Sequence, residues 1–221
     1  MRSTTQQLSA DDGHHFSLFG CAPARERGRT LILLHEIFGV TSHIRELAQR
    51  FADEGYTALA PALFDRIEPG LELAYTEHER GRELIAQLQP EQTLHDIGAV
   101  IASRPKGERI AAIGYCWGGS IAYLAASELP LDAAVAYYGT RIQQMLERKP
   151  RCPLLLHFGA RDHLISAPAV AEIRAANPDA ECHIYADAGH AFNCDQRASF
   201  HAPSADLARE RTLVFLRAHL G

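Results

Sequence analysis

Apolar residues along this chain come in short runs that alternate with longer amphipathic stretches. That is the pattern of a parallel sheet flanked by helices. Residues 30–35, Thr-Leu-Ile-Leu-Leu-His, form a continuous apolar run, as expected of a strand buried on both faces. Ile44, Leu47, Ala48 and Phe51 recur at helical spacing over 42–54, and Gly55 follows as a stop signal. The same reading predicts strands at 56–60, 109–114, 131–137, 153–158 and 181–185. It predicts helices at 76–88, 90–103, 118–128, 142–147, 167–176 and 204–219. Residues 61–73, punctuated by Pro and Gly, read as a loop. Residues 1–12 are polar and lack the apolar core of a signal peptide, and His14-His15 is expected near a mobile terminus. No apolar run approaches the roughly 20 residues that span a bilayer, so no membrane association is expected.

Length and composition narrow this picture. The 221 residues suit one domain over 1–221 with a sizeable core. With 47% hydrophobic and 22% charged residues the chain reads as globular rather than disordered. A net charge of -5 argues against a nucleic-acid partner, because phosphate binding needs clustered Lys and Arg. Cys21, Cys116, Cys152, Cys182 and Cys194 are scattered and make no Cys-x-x-Cys pair, so a disulfide framework or zinc knuckle is not expected. A reducing cytoplasm fits that usage. The twelve histidines contain no His-x-x-x-His pair, and no metal is expected.

Ligands of such sheets sit beyond the carboxyl ends of the strands, so polar residues just after a strand matter most. Gly114-Tyr115-Cys116-Trp117-Gly118-Gly119 follows one predicted strand and opens a helix. It is a Gly-x-nucleophile-x-Gly turn with cysteine as nucleophile, and flanking glycines remove Cβ atoms that would collide across it. The helix N-terminus favours a thiolate there, and the Trp117 N–H is placed to stabilise an oxyanion. Asp162 follows the 153–158 strand, and His190 follows the 181–185 strand. Nucleophile, acid and histidine thus appear in the chain order of the α/β-hydrolase fold. His163 is read as a structural neighbour of Asp162. Glu36 follows the 30–35 strand, where a second oxyanion donor is expected. A carboxylate there repels a developing oxyanion unless it is paired or takes up a proton.

These pieces together resemble the dienelactone hydrolase family. The matching blocks are His35-Glu36-Ile37-Phe38-Gly39, the cysteine turn, Tyr137-Tyr138-Gly139, Gly159 to Asp162, Gly189-His190 and Glu210-Arg211-Thr212-Leu213. The resemblance implies an α/β-hydrolase fold, a mostly parallel central sheet flanked by helices, with no large cap domain. It implies Cys116 as nucleophile, His190 as base, Asp162 as orienting acid and Glu36 as acceptor of the thiol proton. The N–H groups of Ile37 and Trp117 would form the oxyanion hole. Phe38, Tyr138 and Arg82, with Arg80 close behind, are implied as substrate-binding positions, although Tyr138 also reads as a core aromatic. The reaction implied is opening of an enol-lactone such as dienelactone through an acyl-thioester, without cofactor. One departure stands out: the second family arginine, four positions past the histidine, is Cys194 here, with Arg197 nearby.

The alternatives are a hydrolase of small esters or thioesters on the same triad and, in another class, a non-catalytic scaffold or a redox sensor. A complete triad argues against the scaffold, and a sensor usually wants a resolving cysteine close by. The chain is expected to be a monomer or small homo-oligomer acting on a small lactone or ester. Its activity is expected to fall on acidification, as Glu36 and His190 protonate.

Overall fold

A computed structural model describes residues 2–221, so Met1 of the polar N-terminal segment lies outside the described residues. Two compact units make up the chain, the first ending at Ile110 and the second running Ala111–Gly221.

The first unit contains β1 (Arg2–Ser9), β2 (His15–Ala22), β3 (Arg29–Leu34), α1 (Ser42–Asp53), β4 (Thr57–Pro61), α2 (His78–Gln87) and α3 (Pro90–Ala102). Its strands lie in the order β1-β2-β4-β3. The β3–β4 pair is parallel, with Thr30 opposite Thr57 and Ile32 opposite Leu59, while β1–β2 and β2–β4 are antiparallel. β3 and β4 are apolar on both faces and buried along nearly their whole length. α1 buries Ile44, Leu47, Ala48 and Phe51, and Gly55, at φ 93, ends it in a conformation that L residues with a Cβ avoid. α3 starts at Pro90 inside a reciprocal Gln89/Gln92 capping box.

The hairpin β1–β2 corrects the expectation of a mobile terminus around His14-His15. Phe16 and Leu18 of β2 are buried, and all eight residues of β1 pair with β2. β1 is an edge strand whose Thr and Gln side chains meet water, so its composition hides its structure. The hairpin turn is clamped from elsewhere in the unit. Arg66, in a 3-10 turn over Leu63–Arg66, holds Asp12 at 2.8 Å and both carboxylate oxygens of Asp96 on α3 at 2.8 Å. His95 meets Asp11 at 2.6 Å, and Asp65 accepts the N–H of Ser17 at 2.7 Å.

The second unit takes up β5 (Arg109–Tyr115) from Ala111 onward, then α4 (Trp117–Glu128), β6 (Ala133–Tyr137), β7 (Leu154–Gly159), α5 (Ala167–Ala176), β8 (Glu181–Tyr185) and α6 (Ala202–Leu220). The expected helix at 142–147 is a 3-10 turn over Ile142–Met145. β5, β6, β7 and β8 pair in that order and all in parallel, as strands joined by crossovers must. Their carboxyl ends therefore lie on one side, and the loops that follow β5, β7 and β8 emerge together. α4 is buried on nearly every face, which its Gly and Ala content permits. The fold is thus α/β, with eight mostly parallel strands and six α-helices. Among the described residues no helix is long and apolar enough to cross a membrane.

Candidate active site

Cys116 sits between β5 and α4 with φ 55 and ψ -118, a backbone conformation that costs a residue with a Cβ about 1–3 kcal/mol. The surrounding glycines make the turn possible. A Cβ on Gly114 would fall on the carbonyl of Gly118, and one on Gly119 would come within 2.7 Å of the Tyr137 carbonyl oxygen. The Cys116 N–H donates to Tyr137 O at 3.0 Å, which ties the strained residue to β6. Trp117 is the first residue of α4, where backbone N–H groups point out of the helix end.

The three triad positions meet in the second unit. His190 Nε2 lies 3.1 Å from Cys116 Sγ, and His190 Nδ1 lies 2.8 Å from Asp162 Oδ2. The Asp162 carboxylate is fixed by its own loop, since Oδ1 accepts the N–H groups of Leu164 at 2.8 Å and Ile165 at 3.3 Å. The acid and histidine loops run against each other. Arg161 N–H donates to Ala188 O, Ala160 N–H donates to Tyr185 O, and a Cβ on Gly159 would strike the Ala188 carbonyl. Burial disfavours charge on His190, but the neighbouring Cys116 sulfur and the Asp162 carboxylate outweigh it and push the imidazole up to about 10. His190 therefore carries a proton at neutral pH.

Tyr138 completes the support of the histidine. It is fully buried at φ 40, and its ring meets the His190 ring edge-on at 5.1 Å and Phe192 at 5.4 Å. Behind it lies a polar network that the sequence did not reveal. Thr212 Oγ1 on α6 meets Tyr137 Oη at 2.7 Å and His157 Nε2 at 3.0 Å, and His157 Nδ1 meets Tyr185 Oη at 2.9 Å. Burial holds His157 well below the usual imidazole range, so it is neutral, with one donor and one acceptor to match two partners. The Arg211 guanidinium covers the Tyr185 ring at 5.4 Å.

Glu36, Ile37 and Phe38 form the loop after β3 in the first unit. Glu36 is 2% exposed. His35 Nδ1–H donates to the Glu36 backbone carbonyl at 2.6 Å, and burial draws His35 down to about 4, so it stays neutral. Gly81 of α2 packs so close to Ile37 that a Cβ there would sit 2.5 Å from the Ile37 carbonyl oxygen. Phe38 is 1% exposed, with its ring edge-on to Tyr75 at 5.0 Å and His78 at 5.2 Å. These contacts make it part of the packing under the loop, not a surface offered to substrate. Arg80 reaches Glu68 at 3.2 Å and Glu83 at 3.6 Å, the pairing of a solvated helix face. Arg82 is exposed, and no hydrogen bond or ion pair among the described residues engages its guanidinium.

The remaining cysteines differ from Cys116. Burial pushes the thiol of Cys21 up, and pushes those of Cys152 and Cys182 to about 11. Cys194, where a second arginine was sought, has no exposed surface. Among the described residues no three His, Cys, Asp or Glu side chains gather as metal ligands.

Known proteins match this chain over nearly its whole length. The model of the dienelactone hydrolase family covers residues 17–220. A carboxymethylenebutenolidase of Pseudomonas putida is 35% identical over 222 residues, 95% of this chain and 94% of its own. A carboxymethylenebutenolidase of Pseudomonas sp. strain P51 is 34% identical over 227 residues, 96% of this chain and 95% of its own. A solved Klebsiella pneumoniae protein assigned to the dienelactone hydrolases superposes with a TM-score of 0.82 at 30% identity, covering 97% of this chain and 98% of its own. An esterase of Pyrococcus furiosus shares the fold, with a TM-score of 0.72 at 21% identity over 100% of this chain and 94% of its own.

Proposed function

Because this chain belongs to the dienelactone hydrolase family and is a hydrolase of ester or lactone bonds, we propose that it opens enol-lactones of the carboxymethylenebutenolide type through a cysteine thiolate. The observation that carries the reading is the aligned Cys116–His190–Asp162 triad on a strained turn. The thiolate attacks the lactone carbonyl, and the acyl carbon–oxygen bond breaks. The leaving enolate takes the His190 proton, which leaves an acyl-thioester on Cys116. Neutral His190 then draws a proton from water as it attacks the thioester, and the thiolate departs beside an imidazolium again. Asp162 holds the Nδ1–H and fixes the ring. The N–H groups of Trp117 and Ile37 receive the oxyanion. Glu36 takes the thiol proton when the thiolate first forms, before this cycle begins, because His190 already holds a proton of its own. Arg82 takes the substrate carboxylate, for which a guanidinium fork is suited. We read 1–221 as one functional domain, cytoplasmic, monomeric or a small homo-oligomer, acting without cofactor or metal.

Steady-state hydrolysis of cis- and trans-dienelactone beside phenyl acetate, for wild type and Cys116→Ala, tests the reading. Dienelactone turnover that vanishes in the variant supports it. Cys116-dependent turnover of phenyl acetate alone moves the assignment to a small-ester hydrolase, a reading that a buried cysteine in place of arginine at position 194 favours. Glu36→Gln is expected to lower kcat/KM roughly a hundredfold, the usual worth of a general base. An unchanged rate removes Glu36 from the reaction.

The pH profile follows from the shift of His190. Its proton is held from the ordinary 6.5 up to about 10, so His190 keeps its general-acid proton through that window. Activity is expected to hold from neutral to mildly alkaline pH and to fall as pH rises through about 10, where the general acid is lost. A kcat/KM profile that collapses near pH 8 contradicts this assignment.

A further inference from the structure

Residues 210–213, Glu-Arg-Thr-Leu, supply no group to the reaction steps, yet Thr212 of that run is fully buried where α6 packs on β6 and β7. A buried hydroxyl is costly unless it is bonded, and valine would fill the same space. The Thr212 hydroxyl meets Tyr137 Oη at 2.7 Å and His157 Nε2 at 3.0 Å, so one hydroxyl joins both groups. The Tyr137 ring is stacked on Tyr115 of β5 at 4.9 Å and lies against the His157 ring of β7 at 4.5 Å. The His157 backbone carbonyl also accepts the Tyr138 N–H at 2.7 Å. The end of β6 is thus held through its side chains as well as its ladder. The triad hangs on that strand end. Tyr137 O accepts the Cys116 N–H at 3.0 Å, and α4 packs so close that a Cβ on Gly119 would meet the same carbonyl oxygen. Tyr138 sets its ring against His190 at 5.1 Å. Cys116 and Tyr138 have φ 55 and 40, and residues with a Cβ keep such conformations only where their surroundings over-determine them. A shift of Tyr137 would carry the Cys116 sulfur away from His190 Nε2, which lies 3.1 Å from it.

We infer that Thr212 is a positioning residue: its hydroxyl clamps Tyr137 from α6, and Tyr137 holds the Cys116 turn at hydrogen-bond distance from His190. The inference rests on the hydrolase reading of Cys116 and His190 and adds the group that keeps them aligned. The two hydrogen-bond partners of Thr212 lie outside the triad, so it acts through them rather than on the reacting atoms. Its effect is to remove freedom from the nucleophile before substrate arrives. A misplacement of about 1 Å at a reacting group can cost about a hundredfold in rate.

Hydrolysis of trans-dienelactone and phenyl acetate, with the rate at which iodoacetamide alkylates Cys116, tests this. Thr212→Val and Tyr137→Phe are each expected to lower kcat about tenfold, with KM within about twofold of wild type. The double variant is expected to be no slower than Thr212→Val, because both changes break one linkage. Thr212→Ser keeps the hydroxyl and is expected to restore kcat. Alkylation of Cys116 is expected to slow along with kcat. Tyr123→Phe is the control, since it removes a buried hydroxyl that donates to Asn177 Oδ1 at 3.1 Å. It is expected to lower the melting temperature and leave kcat unchanged. Wild-type kcat in Thr212→Val or Tyr137→Phe overturns the inference while the hydrolase reading stands. So do losses that multiply in the double variant, a serine variant as slow as the valine one, or an equal loss of kcat in Tyr123→Phe. Should Thr212→Val fail to fold, Tyr137→Phe decides. Absence of Cys116-dependent turnover in wild type overturns the hydrolase reading. Alignment of the thiol is then read from alkylation alone, and unchanged rates in Thr212→Val and Tyr137→Phe overturn it.

Discussion

Cys116→Ala is expected to fold normally and to lose hydrolysis by a factor of roughly 10⁴, the scale on which triad members act as a unit. The fold should survive because the strain at φ 55 belongs to the turn, not to the thiol. Alanine has the same Cβ and adopts the same conformation at the same cost, and Gly114 and Gly119 still give the backbone room. The melting temperature should therefore move little. Catalysis should not survive, because the remaining histidine, acid and oxyanion donors have no atom to form the thioester. Cys116→Ser should fall nearly as far, since the pair is set to hold a thiolate and a hydroxyl ionises far less readily. A second readout comes from His190. Removing the thiolate removes a main cause of its raised pKa, so burial pulls it down. An NMR titration of the His190 ring in the variant should show a pKa below about 10. Turnover within tenfold of wild type would falsify the nucleophile.

The largest stability effect is expected at a position remote in sequence from the triad. Arg66→Met should destabilise the protein by about 3–5 kcal/mol, as removal of one partner from a buried ion pair does. The Asp96 side chain has no exposure, and burial drives its pKa up while Arg66 opposes that shift. Without the guanidinium, Asp96 must take up a proton or remain as an unpaired buried charge. The second arm, to Asp12, reaches the hairpin turn. The hydrogen bond from Arg66 leads in holding Asp12 at about 2, so its contribution is present above its ordinary 3.8 and is lost as pH falls through about 2. Mild acid should thus leave this arm intact. Urea unfolding of Arg66→Met beside Arg66→Met/Asp96→Leu decides the matter. The double variant should recover much of the loss, because two apolar groups leave nothing unpaired. A loss below about 1 kcal/mol in the single variant means that the clamp is dispensable.

The parts of the site that were legible in the sequence are those written in consecutive residues. The turn at Cys116 announces itself through its glycines, and Asp162 and His190 through their place just past apolar strands. The clamp was not legible, because Asp12, Arg66 and Asp96 look like surface charges until the fold brings them together. β1 was missed for a related reason: an edge strand of Thr and Gln has the composition of a solvated tail. Phe38 was read as a binding residue from its neighbours in sequence, but Tyr75 and His78, some forty positions away, decide its burial. Arg80 and Arg82 both lie on the exposed side of α2, and the pairing of Arg80 with Glu68 and Glu83 tells them apart. His157 sat inside an apolar run, and its hydrogen-bond partners, Tyr185 and Thr212, come from two other elements.

The contrast among the cysteines has a practical consequence. Cys21, Cys152 and Cys182 are held as thiols by burial, and Cys194 offers no surface to a reagent. Cys116 shares a hydrogen bond with His190, which holds a proton at neutral pH. A soft electrophile at neutral pH should therefore tag the chain once, without prior removal of the other cysteines. Intact-mass counting of that single adduct would measure the fraction of competent protein in a preparation. The same thiol would serve as a one-point handle for attaching the protein, in an inactive state, to a dye or a support.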